Sequence, residues 1–261
     1  MQALVGGSMH VTVLIPARMQ ATRFPGKPLA TLLGKPMIQW VNERSRQSKA
    51  DRVLVATDSR DIYDAVLGFG GEARMTRDDH ENGTQRIAEV AAQLETDMVV
   101  NVQGDEPTIH PRAVDQVIEA LAQEPGLEMA TLAEELGVGD NVFNPNVVKV
   151  VCNKYGRAMY FSRAPIPYFK HVGMDGPAWP KQPTGLPHYR HVGIYAYRTD
   201  FLLKYIAEAP CELENIEGLE QLRALYMGAR IQVAVTKHVG IGVDTPDDLG
   251  RAEAYLKDHG A

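Results

Sequence analysis

The chain has little cysteine, no excess of basic residues and no long apolar run, and each absence removes a class of protein. It contains two cysteines, Cys152 and Cys211, far apart in a sequence of 261 residues. This excludes a disulfide framework and predicts a reducing, cytoplasmic environment. The net charge of −6 argues against binding to a nucleic acid polymer. Because no apolar run approaches the roughly 20 residues that span a bilayer, we expect no insertion into a membrane.

Several familiar catalytic motifs are missing as well. The sequence has no G-x-S-x-G of serine hydrolases, no H-E-x-x-H of zinc proteases and no G-x-x-x-x-G-K-[ST] of P-loop nucleotidases. Residues 1–8 lack the basic region and apolar core of a secretory signal. We interpret residues 1–8 as a flexible N-terminal arm and residues 9–261 as a single domain.

What the sequence does contain is an alternation of strand and helix signals. Apolar runs at 11–15, 53–57 and 98–103 are typical of buried strands, and apolar residues at helical spacing lie between them. In the second half, the runs 146–153 and 157–161 flank a turn and indicate an antiparallel hairpin. These patterns predict an α/β fold, a three-layer sandwich with a mixed, mainly parallel sheet and an antiparallel hairpin extension.

Three further elements are predicted after the hairpin. The proline-rich residues 171–187 indicate a surface loop, residues 188–198 a strand, and Thr245 with Pro246 the start of the last helix. One amphipathic helix is predicted over 214–227. Its inward face should consist of these residues: Ile216, Leu219, Leu222, and Leu225 or Tyr226.

The segment after the first strand is the most informative part of the chain. Residues 16–29 place three cations, Arg18, Arg23 and Lys27, around Gly26. Ligands bind at the carboxyl edge of open α/β sheets, where backbone N–H groups and cationic side chains neutralise phosphate oxygens. The segment predicts a loop that binds a triphosphate, with an ordinary Pro-Gly turn as the alternative.

Two aspartates are predicted at the same edge. Asp105 follows a strand at a Gly-Asp turn, and Asp244 lies between a strand and a helix. A pair of carboxylates beside a polyphosphate suits Mg²⁺, which prefers one or two carboxylates together with phosphate oxygens and water. The alternative for both is turn formation or helix capping, which explains Asp244 well.

Other candidate residues lie in the second half. Strand alternation places His191 and Tyr195 on one face, which could line a pocket or simply be structural. Arg163 is a candidate clamp for a carboxylate, because a guanidinium binds that group through two hydrogen bonds. Glu217 and Gln221 are neighbours on the predicted helix, although an exposed acidic face is usually only solvated.

In order and spacing, these segments resemble the 3-deoxy-manno-octulosonate cytidylyltransferase (CMP-Kdo synthetase) family from about Val11 to Leu256. The resemblance rests on segments spread along the whole chain: 16–18, 23–29, 55–58, 75–80, 83–86, 101–107, 143–151, 160–164, 190–195, 216–223 and 242–249. It implies a nucleotidyltransferase fold and the reaction of CTP with 3-deoxy-D-manno-octulosonate (Kdo) to give CMP-Kdo and pyrophosphate. It also implies a role in lipopolysaccharide biosynthesis and a homodimer formed near residues 149–161.

The resemblance also implies roles for individual residues. Arg18 and Lys27 would hold the triphosphate, and Asp105 and Asp244 would ligate Mg²⁺; these four form the catalytic set. The remaining nucleotide contacts would be Pro16, Ala17, Arg77, Gly83 and Thr84. The sugar acid would be surrounded by Gln103, Arg163, His191, Tyr195, Glu217, Glu220 and Gln221. The alternatives are a cytidylyltransferase for another sugar acid such as sialic acid, a metal-dependent glycosyltransferase, and a nucleotide-binding subunit without catalytic activity.

Overall fold

The structure, a computed structural model, describes residues 9–20, 24–137, 142–168 and 188–259. Three sequence-based predictions fall outside these residues: the arm at 1–8, the cation Arg23 and the loop at 171–187. Within the described residues, no helix has the length and apolar character that crossing a membrane requires.

Strands and helices alternate through the first half, as the sequence predicts. The strands are β1 (Val11–Ala17), β2 (Thr31–Leu32), β3 (Lys35–Pro36), β4 (Arg52–Thr57), β5 (Glu72–Met75), β6 (Met98–Asn101), β7 (Met129–Glu135), β8 (Lys149–Cys152), β9 (Ala158–Ser162), β10 (Tyr189–Arg198) and β11 (Ile231–Val235). The helices are α1 (Met37–Ser45), α2 (Arg60–Gly68), α3 (Gly83–Ala91), α4 (Pro111–Ala122), α5 (Thr199–Ala207), α6 (Glu212–Glu217), α7 (Gln221–Tyr226) and α8 (Pro246–His259).

One mixed sheet forms the middle layer. Its main path is β11-β7-β10-β6-β1-β4-β5. β10 runs antiparallel to both of its neighbours in this path, and the other pairs there are parallel. β4 and β6 both pair with β1, on opposite sides. The strand order therefore reverses between β1 and β6, which is where open α/β sheets bind ligands.

Alternate residues of β1 point into two separate cores. Val13 and Ile15 pack with residues of α1, α2 and α4, whereas Leu14 packs with residues of α3, α5 and α7. A central strand buried on both faces needs such a continuous apolar run. The predicted three-layer sandwich is confirmed.

The predicted hairpin is confirmed too. β8 and β9 pair antiparallel, with Val150 opposite Phe161, and the turn between them contains Gly156 at φ +73°. β8 also pairs with the first residues of β10, so the hairpin extends the sheet beside that strand.

The single helix predicted over 214–227 is wrong. α6 ends at Glu217 and α7 begins at Gln221, and Gly218 between them has φ +61°. A left-handed glycine ends a helix because it lets the next N–H groups turn back to the preceding carbonyls; here Leu219 N donates to Glu214 O at 3.1 Å. Leu219 and Leu222 are buried as predicted, but Ile216 and Tyr226 are 80% and 71% exposed.

Helix α1 begins directly after a short strand. Pro36 ends the short strand β3 and precedes the helix, which begins at Met37. The two-residue strands β2 and β3 form a small hairpin that the apolar pattern did not reveal. The last helix begins at Pro246, as predicted.

Gly250→Ala is expected to stabilise the protein. Gly250 is an exposed residue within α8, and a Cβ placed there would meet no atom within 4 Å. Glycine in a helix costs about 1 kcal/mol relative to alanine, so Tm should rise by about 2–4 °C. Calorimetry on the two proteins measures the difference. An unchanged or lower Tm would contradict the helical placement of Gly250.

Candidate active site

A cavity of about 340 Å³ opens at the carboxyl ends of β1 and β6. Eight residues predicted from the sequence contribute to its lining: Pro16, Ala17, Arg18, Lys27, Gly83, Gln103, Asp105 and Asp244. They come from four separate parts of the chain that meet at the strand-order reversal. Among the described residues, the predicted phosphate loop and both aspartates are therefore brought to one site.

The loop after β1 holds Lys27 in a defined place. Gly26 N donates to Met19 O at 3.0 Å, which closes the loop, and Gly26 has φ +72°. Lys27 then begins a single 3₁₀ turn, with Pro28 as its next residue. Arg18, at the start of the loop, is exposed and lines the cavity.

The ammonium of Lys27 lies among three oxygens. Its Nζ is 2.7 Å from Asp105 Oδ2, 2.8 Å from the Val243 carbonyl oxygen and 3.7 Å from Asp244 Oδ1. The Lys27 side chain is only 12% exposed. The carboxylates of Asp105 and Asp244, both predicted metal ligands, thus face one ammonium group. This ammonium lies where a metal ion between the two carboxylates would be expected.

Asp244 is positioned by hydrogen bonds on both sides of it. Val243 N donates to Asp105 O at 2.8 Å, which joins the loop before α8 to the turn after β6. The Asp248 carboxylate accepts from the Asp244 and Thr245 N–H groups at 3.0 and 2.9 Å, as in a helix capping box. The Arg251 guanidinium, and to a lesser extent these N–H groups, hold the pKa of Asp248 well below its usual range. The helix start therefore fixes the place of Asp244.

Glu106 is a third acidic group that the sequence reasoning missed. Its burial, together with the nearby negative charges of Asp105 and Asp244, raises its pKa to about 7. Arg190 and Lys27 oppose this shift through their positive charges. Glu106 does not line the cavity itself, but its carboxyl lies close enough to the predicted pair for their charges to interact.

Two glycines allow the end of β1, the turn after β6 and the start of α3 to approach one another. A Cβ on Gly104 would lie 2.7 Å from the Pro16 carbonyl oxygen, and a Cβ on Gly83 would lie 2.9 Å from Pro16 Cγ. Asn82 caps α3 by accepting from Gln85 N at 2.9 Å. The N-terminus of α3, which attracts negative groups, is therefore packed directly against the end of β1.

The remaining lining residues were not assigned to the site individually: Gln20, Phe24 and Pro28 of the predicted phosphate loop, and His80, Asn82, Arg86 and Gly104. Arg86 is 2% exposed, and it donates to Asp58 Oδ2 at 2.7 Å and to the Arg77 carbonyl oxygen at 3.3 Å. The sequence contained a signal for Arg86, because Arg86 belongs to segment 83–86, one of the segments that carry the resemblance. The ion pair with Asp58 ties the end of β4 to α3, and the hydrogen bond to Arg77 ties the end of β5 to the same helix.

Arg77, predicted to face the nucleotide, does not contribute to this cavity lining. Its guanidinium is exposed and lies 3.2 Å from Asp79 and 3.8 Å from Glu89. It belongs to a neighbouring surface depression between α3 and α5. A role for Arg77 in nucleotide binding stays a prediction.

Glu217 and Arg163, predicted to contact a sugar acid, are engaged with each other and with the backbone. The Glu217 carboxylate accepts from Ser162 Oγ at 2.6 Å and from Arg163 N at 2.9 Å. The Arg163 guanidinium donates to the carbonyl oxygens of Glu217 and Pro145 at 2.6 and 2.9 Å. They join the end of α6 to the end of β9, and their predicted contact with substrate stays a prediction.

Glu220 links this region to the Gly83–Thr84 turn, which was predicted to contact the nucleotide. Thr84 Oγ1 donates to Glu220 Oε2 at 2.9 Å, and burial raises the pKa of Glu220. Gln221 is 3% exposed, and its Nε2 has no hydrogen-bond partner within the described residues. A buried amide without a partner is costly, but Gln221 does not line the cavity, so its contact with a sugar acid stays a prediction.

His191 and Tyr195 lie together, as the alternation predicts. Their ring centroids are 5.4 Å apart, although the strand is irregular between Val192 and Tyr195. His191 Nε2 lies 3.0 Å from Thr131 Oγ1. Burial lowers the pKa of His191 to about 3, so its imidazole is neutral near pH 7.

His191→Gln is expected to make stability less sensitive to acid. In the folded state the pKa of His191 is about 3, whereas its ordinary value is 6.5. The unfolded chain therefore binds a proton that the folded chain excludes, and stability falls as pH drops below 6.5. Between pH 7.5 and pH 5, the wild type should lose about 2 kcal/mol more free energy of unfolding than the variant. Urea unfolding at both pH values measures this difference; equal losses would contradict it.

The donor set of Asp105 and Asp244 fits a hard divalent cation. Both donors are carboxylate oxygens beside a cavity, and Mg²⁺ binds through one or two carboxylates, with phosphate oxygens and water completing its shell. Within the described ranges, no three or more His, Cys, Asp or Glu side chains are grouped so as to hold a metal by themselves. Magnesium at this pair stays a prediction.

Comparisons with known proteins agree with one another. A sequence model described as cytidylyltransferase matches residues 12–231. The 3-deoxy-manno-octulosonate cytidylyltransferase of Pelobacter propionicus is 52% identical over 250 residues, which cover 95% of this chain and 98% of that protein. The protein of the same name from Photobacterium profundum is 52% identical over 254 residues, which cover 95% of this chain and 100% of that protein.

Solved structures show the same likeness. CMP:2-keto-3-deoxy-manno-octonic acid synthetase, determined in complex with CTP, is similar with a TM-score of 0.87 and 40% identity, covering 95% of this chain and 99% of that one. The 4-diphosphocytidyl-2C-methyl-D-erythritol synthase of Anaerococcus prevotii has a TM-score of 0.63 at 14% identity, and the match covers 95% of this chain and 99% of that one. At this identity the likeness shows the fold alone.

Proposed function

The chain belongs to the 3-deoxy-manno-octulosonate cytidylyltransferase family, and from this premise we propose that it transfers CMP from CTP to Kdo with release of pyrophosphate. The observation that carries the proposal is the position of Lys27 between Asp105 and Asp244, in a cavity at the strand-order reversal. This cavity combines cations for a triphosphate with carboxylates for its metal.

The two substrates approach from different sides of this cavity. CTP binds along the loop from Pro16 to Lys27 and the α3 N-terminus at Gly83, where N–H groups and cations meet phosphate oxygens. Kdo binds toward β10 and the segment between α6 and α7, which carry the predicted residues His191, Tyr195 and Glu220. Gln103, which follows β6, also lines the cavity.

The reaction is an in-line displacement at the α-phosphorus of CTP. The anomeric hydroxyl oxygen of Kdo forms the new bond to phosphorus, the bond to the β-phosphate oxygen breaks, and the hydroxyl proton leaves to solvent. Catalysis consists mainly of orienting the reactants and neutralising charge. Arg18 and Lys27 stabilise the negative charge that builds up on the departing pyrophosphate.

Asp105 and Asp244 would hold Mg²⁺. The ion would supply neutralisation of phosphate charge and would make the attacking hydroxyl more acidic. The two aspartates determine where the positive charge of the ion would lie, because Asp105 is fixed by the turn after β6 and Asp244 by the start of α8.

A matrix of substrates tests the proposal and separates its alternatives. The protein is incubated with Mg²⁺, each of the four common nucleoside triphosphates, and Kdo, sialic acid or no acceptor, and pyrophosphate is measured. We expect release with CTP and Kdo together. Release with CTP and sialic acid would instead indicate the other sugar acid, and no release with any pair would favour a binding subunit.

Assembly and cellular role follow from the same proposal. Tyr155 and Met159 on the β8–β9 hairpin are 63% and 62% exposed, which supports homodimerisation through this hairpin. The enzyme acts in the cytoplasm, and its product, CMP-Kdo, is the activated form of Kdo for lipopolysaccharide biosynthesis. Sedimentation of the wild type and of Met159→Glu tests the hairpin contact, with a dimer expected only for the wild type; a wild-type monomer would contradict it.

A further inference from the structure

We infer that Lys27 is a resident counter-cation that keeps a free divalent cation from the Asp105–Asp244 pair until the triphosphate of CTP draws its ammonium away. This inference rests on the proposed function and concerns the order in which the site is filled. It assigns to Lys27 a second role, besides binding phosphate.

The first support is the geometry of the ammonium. It contacts Asp105 Oδ2 and the Val243 carbonyl oxygen at 2.7 and 2.8 Å, and Asp244 Oδ1 at 3.7 Å. Carboxylate and carbonyl oxygens such as these are the ligands that a hard divalent cation prefers. Lys27 therefore already supplies the positive charge that a metal would bring.

The second support is the rigidity of this arrangement. The Lys27 side chain is 12% exposed, and its backbone is fixed by the loop closure from Gly26 N to Met19 O. Its partners are joined to each other by the hydrogen bond from Val243 N to Asp105 O. A cation entering between the aspartates must therefore act against a positive charge that is held in place.

A triphosphate changes this balance. Its oxygens compete with the aspartates for the ammonium, which forms strong charge-assisted hydrogen bonds to phosphate. Once the ammonium turns toward phosphate, the negative charge of the two carboxylates is less fully compensated. The nucleotide thus prepares the carboxylates for the metal, so metal entry follows or accompanies CTP and does not precede it.

Manganese binding to the nucleotide-free protein tests this role. The probe is Mn²⁺ alone, with free Mn²⁺ measured by electron paramagnetic resonance. Lys27→Met should bind Mn²⁺ at least about tenfold more tightly than the wild type, because a neighbouring positive charge has been removed. Lys27→Gln should behave in the same way, and Lys27→Arg, which retains the charge, should bind as weakly as the wild type.

Two further variants show where the effect originates. Lys35→Met removes an ammonium that lies 2.7 Å from Glu43, outside the cavity, and should leave Mn²⁺ affinity unchanged. Lys27→Met combined with Asp105→Asn should lose the gain. Circular dichroism establishes that each variant is folded.

The inference would be overturned if folded Lys27→Met and Lys27→Gln bound Mn²⁺ no more tightly than the wild type. It would also be overturned if the gain persisted without the Asp105 carboxylate. These outcomes are independent of the proposed function, which fails only if the wild type releases no pyrophosphate from CTP and Kdo.

Discussion

Asp105→Asn and Asp244→Asn should each lower kcat about a thousandfold while the protein stays folded. Either change removes one carboxylate charge from the predicted metal pair and keeps the shape of the side chain. Loss of a metal ligand removes several kcal/mol of transition-state stabilisation, and about 4 kcal/mol corresponds to a thousandfold in rate. Pyrophosphate release measures kcat, and calorimetric titration with CTP should show that nucleotide binding partly survives.

Asp64→Asn is the matched control for these two variants. Asp64 is an exposed aspartate on α2 that pairs with Arg60 at 3.0 Å, so its change should leave kcat within about twofold, as for most surface substitutions. If Asp105→Asn or Asp244→Asn retained full activity, the assignment of the metal to this pair would be wrong.

Gly104→Ala should lower kcat/KM on the order of a hundredfold. A Cβ at this position would lie 2.7 Å from the Pro16 carbonyl oxygen, and a backbone atom cannot rotate away as a flexible side chain can. The ends of β1 and β6 must then separate, and misplacement of catalytic groups by about 1 Å costs about that factor. Steady-state kinetics measures the loss, and urea unfolding should show destabilisation of about 1–3 kcal/mol.

Gly68→Ala provides the comparison for Gly104→Ala. Gly68 ends α2, and a Cβ there would meet no atom within 4 Å. Its kinetics should match those of the wild type. If Gly104→Ala also matched the wild type, the close approach of the two strand ends would not matter for catalysis.

The architecture was predictable because burial leaves a clear pattern in the sequence. The continuous apolar run from Val11 to Ile15 required a strand covered on both faces, and the structure places two cores around it. Segments that follow strands were predicted to meet at one edge. Lys27, Asp105 and Asp244 do so, although 78 or more residues separate Lys27 from either aspartate.

The errors have local physical causes. An apolar spacing of three and four residues continues through 214–227, but the left-handed Gly218 ends α6 and redirects the chain. Hydrophobic periodicity does not report a backbone dihedral angle. The Glu217–Gln221 neighbour pair predicted on one helix face is lost for the same reason.

Side-chain pairings were the least predictable feature. The sequence indicated cations and carboxylates, but it did not show that Arg163 would be engaged by the carbonyl oxygens of Glu217 and Pro145. Glu106 was missed because its significance depends on burial and on two aspartates that come together only in three dimensions. Such partners are set by tertiary contacts.

Phosphorus NMR of the complete reaction tests the central claim most directly. With CTP, Kdo and Mg²⁺, the three resonances of CTP should be replaced by one phosphodiester resonance and one pyrophosphate resonance, in a ratio that corresponds to equal amounts of CMP-Kdo and pyrophosphate. Kdo labelled with ¹⁸O at its anomeric hydroxyl should transfer the label to the phosphodiester. Persistence of CTP, or formation of CDP and phosphate in place of these products, would contradict the account.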